Sequence, residues 1–325
     1  MKSFIKKSFF SLIFFIAVIS IVLLWTNAHI ELLKINWILF ALACFLFLFS
    51  VFVWLVSWAF LIRKKATVSY QNLFIVGFSS LYGALTPVQL GAEALRSMKL
   101  KSFFKIPYDE SISASMIAKG TKFIILAIFF VFILLFFISK AKLDSTAFFA
   151  LLSGFFVIAI AILFFVLPLS RRCGSAITSF LRFFSKDIPL FASIEKFFFS
   201  YSKNLRNLTL KSFAVVLLVS LISYFFEFLA FQFSFFSVDI KIDFVPLLVL
   251  FVIISVIERT PFLPRGIGLV EFVGLTFLSI PWFVNEQLSL PEIGAVLIAF
   301  DFVRLVIPTV FSLLIAALFK IEIKE

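Results

Sequence analysis

Trp37 to Ile62 is an unbroken run of uncharged residues. As a helix rising about 1.5 Å per residue it outreaches the ~30 Å hydrocarbon core of a bilayer. No other feature narrows the fold as much, because the same signal returns along the chain. Phe9–Trp25, Ser111–Ser139, Thr146–Leu169, Ser212–Phe236 and Pro291–Phe319 are also long and apolar. Hydrophobic residues make up 63% of the chain and the mean hydropathy is +1.19, and apolar surface on that scale has no place in a soluble globule. The sequence predicts an all-α polytopic membrane protein with about six full transmembrane helices.

Two further apolar runs are too short to cross. Tyr70 to Leu85 would reach only about 24 Å as a helix, and Val245 to Ile257 is shorter still. Each is followed by a cluster of backbone-breaking and charged residues: Thr86, Pro87, Gly91, Glu93 and Arg96 after the first, and Pro261, Pro264, Arg265, Gly266, Gly268 and Glu271 after the second. Thr86-Pro87-Val88-Gln89 has the shape of a capping box, with Pro at the first helical position. Both clusters therefore predict re-entrant helical hairpins that dip into the membrane, turn and return to the side they entered from.

The charges supply an independent argument. Lys and Arg number 29 against 17 Asp and Glu. No nucleic-acid motif accompanies that excess, and the positive-inside rule explains it. Lys2, Lys6, Lys7, Arg63, Lys64, Lys65, the segment from Arg171 to Lys211, Lys320 and Lys324 all fall on one side if both termini are cytoplasmic. Arg96, Lys99, Lys101 and Lys105 then fall on that side too, which requires the chain from Tyr70 to Phe104 to turn back. The segment 171–211 interleaves Phe with basic residues and predicts an amphipathic helix on the inner surface, either a lipid-recruiting platform or a plain connector.

Other chemistries are excluded. Cys44 sits in an apolar run and Cys173 in a basic segment, and His29 is the single histidine, so neither a disulfide framework nor a metal site can be built. No cofactor motif and no catalytic constellation stands out, and the absence of a P-loop sequence excludes ATP hydrolysis by this chain. The basic N-terminus before Phe9 has the look of a signal peptide, but the long apolar run and the spans that follow predict a retained first helix.

The order span, span, broken hairpin, span occurs twice, over residues 8–139 and 144–320 of a single domain. Pro87-x3-Gly91-x-Glu93 echoes Pro264-x3-Gly268-x2-Glu271. Each half has an odd number of crossings, so the second is inverted and the hairpin tips converge from opposite faces. Charges at the centre of a span cost roughly 2.5–3.5 kcal/mol each on insertion scales. Glu93, Lys119, Lys122, Glu227, Glu258, Arg259, Arg265, Glu271, Asp301 and Arg304 are therefore expected to face inward and pair. Asp301 and Arg304, three apart, are expected to line the site or to pair with each other. Glu93 and Arg96 form either a salt bridge holding the hairpin together or a site pairing a phosphate-binding Arg with a carboxylate. Glu227 is a bridge partner for a hairpin Arg or a proton-coupling group. The 52 Phe are expected to be mostly lipid-facing filler.

At T-P-V-Q-L-G-A-E-A-L-R (Thr86 to Arg96), P-R-G-I-G-L-V-E (Pro264 to Glu271) and the deep Arg304, the chain resembles the lysylphosphatidylglycerol-synthase transmembrane, or flippase-like, family. The likeness covers nearly the whole chain. Arg265 stands where the family often has a second Gly. The chain stops at Glu325 without the soluble aminoacyl-transferase domain, so no synthase activity is expected. The resemblance implies handling of a polar or charged lipid at the cytoplasmic membrane, with phospholipid and polyprenyl-phosphate-linked lipids both open as substrates. The expected function is a flippase in which Arg96, Arg259, Arg265, Arg304, Lys119 and Lys122 bind an anionic headgroup. Glu93, Glu227, Glu258, Glu271 and Asp301 would balance charge or carry protons. A membrane subunit serving a lipid-modifying enzyme and a membrane transferase are the alternatives, and a homo-oligomer is compatible with each.

Overall fold

A computed structural model describes residues 2–85, 91–139, 159, 163, 168, 171–185, 189–259, 264–280 and 288–319. All regular structure among them is helical. Helix α1 is Lys2–Thr26, followed by the single turn α2, His29–Leu32, and by α3, Trp37–Arg63. Asn36 starts α3 by accepting hydrogen bonds from the amides of Ile38 and Leu39 at 3.1 and 3.2 Å, which satisfies two of the donors a helix start leaves open. Then come α4, Tyr70–Phe78, a 3-10 turn at Leu81–Leu85, α5, Gly91–Phe104, and α6, Tyr108–Ser139.

In the second half, α7 is Arg171–Ser185 and α8 is Pro189–Arg206. They are followed by α9, Leu210–Ser237, and α10, Phe244–Glu258. A 3-10 turn at Pro264–Gly266 leads to α11, Leu269–Leu278. The last helix begins as α12, Leu290–Asp301, widens into a π-helical turn at Phe302–Val306 and continues as α13, Ile307–Leu318. Ser289 and Glu292 form a capping box at its start.

Four helical stretches are long and apolar enough to cross a membrane: Trp37–Arg63, Tyr108–Phe132, Leu210–Ser237 and Leu290–Leu318. They match four of the six expected crossings. The first expected crossing lies within α1, while Thr146–Leu169 falls almost wholly outside the described residues, as do Lys320 and Lys324. The basic segment is corrected from one amphipathic helix to two. Pro189 has no amide hydrogen to continue a helix and instead opens α8. Arg182 meets Glu195 at 3.0 Å and Gly174 faces Arg206, so α7 and α8 run antiparallel.

Helices α3 and α9 form the central seam. Small residues let their backbones approach: Ala43 and Ala230 are fully buried, and the Ser223 hydroxyl donates to the Ser50 carbonyl at 2.9 Å. In a membrane this close packing, with hydroxyls bridging helices, replaces the hydrophobic drive that water supplies elsewhere. Thr121 of α6 and Ser220 of α9 add a hydroxyl pair at 3.0 Å. The Phe residues divide between exposed and buried positions. Phe225 and Phe45 are exposed, but Phe231, Phe235, Phe251 and Phe300 are buried, and Phe231 meets Phe300 edge-to-face at 4.7 Å, the arrangement a ring quadrupole favours.

Both predicted breaks are present. After α4 the chain tightens into the turn at Leu81–Leu85, and α5 resumes at Gly91; Thr86 and Pro87 lie outside the described residues. Gly83 is required here, because a Cβ on it would lie 2.8 Å from the backbone of Gly91. In the second break Pro261 lies outside the described residues, while Arg265, Gly266 and Gly268 all have positive φ (48°, 71° and 90°). That region is easy for Gly and costs about 1 kcal/mol or more for Arg. The two breaks touch through the turns at Leu81–Leu85 and Pro264–Gly266, and Leu85 shares one buried cluster with Ile267 and Leu305. A void of about 20 Å³ between them is lined by Leu81, Ala84, Leu85, Arg265 and Pro308, among others.

Candidate functional site

The charged residues singled out above are gathered into two groups. The larger is a chain of ion pairs running from α6 and α9 through α10 and the second break to α11 and the last helix. Glu227 of α9 takes Lys122 of α6 at 2.9 Å and Arg259, just past α10, at 3.0 Å. Arg259 lies 4.0 Å from Glu258, and Glu258 lies 3.3 Å from Arg265 in the second break. Arg265 and Arg304 then exchange side-chain to backbone bonds. Arg304 donates to the Arg265 carbonyl at 2.6 Å, and Arg265 donates to the Arg304 carbonyl. That carbonyl belongs to the π-helical turn, where wider winding changes the ordinary helix bonding. Arg304 finally holds Asp301 at 2.6 Å and Glu271 at 3.1 Å.

Several members of this chain have their place fixed by a local device. Glu271 sits in the first turn of α11, where its carboxylate accepts from the Gly268 amide at 2.5 Å and meets the positive end of the helix. Asp301 and Arg304 are three residues apart and reach each other across one turn. The ring of Tyr224 lies 4.7 Å from the Lys122 ammonium and 5.0 Å from the Arg259 guanidinium, a cation–π contact for each. The four cations Lys122, Arg259, Arg265 and Arg304 face the four carboxylates Glu227, Glu258, Glu271 and Asp301, so the chain is neutral when all are ionised. A buried charge stripped of its partner costs several kcal/mol, and here the partners are supplied internally.

The smaller group lies on the first hairpin and is not balanced in this way. Glu93, in the first turn of α5, is 2.7 Å from Lys119 of α6 but 3.9 Å from Arg96. The guanidinium of Arg96 sits instead over the rings of Trp54 and Trp58, at 4.8 and 5.4 Å. Lys99, one turn further, donates to the carbonyl and hydroxyl of Ser79 at 2.7 and 2.9 Å. Arg96, Lys99 and Glu93 are all at most 2% exposed.

Of the two readings the sequence left open for each, the Asp301–Arg304 contact and the contact of Glu227 with a break-flanking Arg, Arg259, are present. A Glu93–Arg96 salt bridge was one of two readings for that pair; the two lie 3.9 Å apart, and the shorter contact of Glu93 is to Lys119. Lys119 and Lys122 divide, with side chains 31% and 12% exposed. Trp54, Trp58, Lys99 and Tyr224 were not singled out. The i, i+4 spacing of Trp54 and Trp58 puts both rings on one face of α3, but a Trp pair in an apolar run reads as core until its cation is known. No group of His, Cys, Asp and Glu that could hold a metal occurs among the described residues.

Long apolar helices around a buried ionic interior define a multi-pass helical membrane protein. Within that class the lysylphosphatidylglycerol synthase TM region matches residues 8–281, and the chain belongs to that family. No curated protein and no solved structure matches the chain.

Proposed function

We propose that this protein is a flippase that moves a lipid with an anionic or polar headgroup across the cytoplasmic membrane, by alternating access around two opposed hairpins. The observation that carries the reading is the contact between the two breaks, the turn at Leu81–Leu85 against the turn at Pro264–Gly266, with Leu85 and Ile267 in one buried cluster. A chain broken twice at membrane depth needs its exposed backbone shielded by protein or by a polar path. In transporters built from inverted repeats such breaks meet at the substrate site.

The arrangement of charges supports the same reading. In each hairpin a carboxylate in the first turn of the returning helix pairs with a cation on the crossing that follows: Glu93 with Lys119 at 2.7 Å, and Glu271 with Arg304 at 3.1 Å. The match fits an inverted repeat and gives each half one gate that can release. Movement is downhill or coupled to an ion gradient, with the buried carboxylates as proton sites. The family's name ties it to phospholipid chemistry, and a phospholipid or polyprenyl-phosphate-linked lipid is the substrate.

The test joins the two breaks. With Cys44 and Cys173 replaced, Leu85→Cys and Ile267→Cys are bridged by a short bifunctional thiol reagent in reconstituted liposomes holding labelled phospholipid or polyprenyl-phosphate lipid. The unbridged double variant should move one of these lipids faster than empty vesicles, and the bridged protein should not. No movement above empty vesicles in the unmodified protein would remove the flippase reading; equal rates with and without the bridge would remove the hairpin mechanism.

A further inference from the structure

Buried polar atoms without a hydrogen-bond partner are concentrated at one place. Nine occur among the described residues, and five of them belong to Arg96 and to residues on the helices packed about it: its own Nε and Nη1, Trp58 Nε1, Ser115 Oγ and Glu93 Oε2. Ser115 is placed there by the geometry of α6. Ser111, Ser115 and Lys119 recur every four residues on one face, and that face meets α5 through Ser111 to Ser97 at 3.0 Å and Lys119 to Glu93 at 2.7 Å. Four of the five atoms can donate a hydrogen bond, while the fifth, Glu93 Oε2, can accept one. Buried donors are ordinarily satisfied, and guanidinium donors left without a hydrogen bond are among the costlier exceptions.

The charge count agrees with the donor count. Around the first hairpin Glu93 faces Arg96 and Lys119, with the buried Lys99 one turn away, whereas the second hairpin's chain is neutral. We propose that Arg96, Trp58 and Ser115 form a receptor for an oxyanion of the phosphate class, with Glu93 as the internal counter-anion that the ligand displaces. The proposal deepens the flippase reading and rests on it for the source of the anion, a lipid headgroup. Arg96 is 1% exposed, so the anion enters when α5 parts from α3 and α6. The fork of Arg suits two phosphate oxygens, and the indole faces of Trp54 and Trp58 hold the cation in place when the site is empty. On this assignment the first hairpin binds and the second, already neutral, acts as the clasp.

Binding is measured at equilibrium on the full chain in detergent, by tryptophan emission and calorimetry. The probes are inorganic phosphate, glycerol phosphate and a short-chain phosphatidylglycerol, with a short-chain uncharged diacylglycerol as control. An oxyanion probe should saturate and shift the emission, and the uncharged lipid should not. Arg96→Gln should weaken binding about tenfold or more, and Trp58→Phe should remove most of the emission change while retaining the fold. Glu93→Gln should tighten binding, because the competitor is gone. Saturation by phosphatidylglycerol alone places the anion on a lipid; saturation by inorganic phosphate as well leaves the receptor standing and makes the solute a ligand.

No saturable response to any anion would mean that the donors serve ordered water only, and the receptor is overturned. Equal affinity in wild type and Arg96→Gln overturns it as well. If Arg96→Gln does not fold, unchanged or weaker binding by Glu93→Gln does so instead. A protein that binds the anion but moves no lipid loses the flippase reading and keeps the receptor. One that moves lipid equally well with Arg96→Gln loses the receptor and keeps the flippase.

Discussion

Arg304 is fully buried and holds two carboxylates and a backbone carbonyl at once. Arg304→Ala strands Asp301 and Glu271 without a cation, and removing one partner of a buried ion pair costs roughly 3–5 kcal/mol. Thermal unfolding in detergent should show that loss, and the triple variant Arg304→Ala, Glu271→Gln, Asp301→Asn should recover much of it because no charge is left unpaired. A triple variant as unstable as the single would show that shape rather than charge dominates there. Arg265 presents a different balance. Its φ of 48° favours glycine by about 1 kcal/mol, but its guanidinium also holds Glu258 and the Arg304 carbonyl. Arg265→Gly relaxes the turn and frees a carboxylate, and the larger electrostatic loss should lower the midpoint of unfolding.

Among the elements, the first hairpin depends on how closely its two limbs can lie. A methyl group at Gly83 would sit 2.8 Å from Gly91 backbone and 2.6 Å from a Leu95 methyl. The leucine can turn away, but the backbone cannot. Gly83→Ala should therefore reduce the yield of folded, monodisperse protein in size-exclusion chromatography, whereas a fold unaffected by the change would show that the limbs can separate cheaply. The seam between α3 and α9 makes the parallel prediction. Ala230 is fully buried beside Ala43 and Phe47, and Ala230→Leu forces the helices apart at a cost of about 1–3 kcal/mol, read as a lower unfolding temperature.

For the whole molecule, the proposed re-entrant path makes a statement about sides. In a background without Cys44 and Cys173, Arg63→Cys and Lys105→Cys should react with a membrane-impermeant maleimide from one side, and Lys241→Cys from the other. Labelling of positions 63 and 105 from opposite sides would require α4 and α5 to cross, and the hairpin would be lost. Most of the helix order was legible beforehand, since hydropathy reports length against a bilayer and Pro and Gly mark where a helix cannot continue. The pair Asp301 and Arg304 was legible too, because three residues make one turn. The partners Lys122 and Glu227, 105 residues apart, were not. A helix that is apolar on every side carries no stripe to say which face meets which neighbour, so its buried charges announce that they must be paired without naming the partner. From the sequence alone came the membrane, the breaks and most of the buried charges, though not Lys99. Only the packing of α3, α6 and α9 around the two breaks decided that one set of charges closes on itself while Arg96 is left with donors to offer, because neutralisation depends on distance in space and the chain specifies only distance along itself.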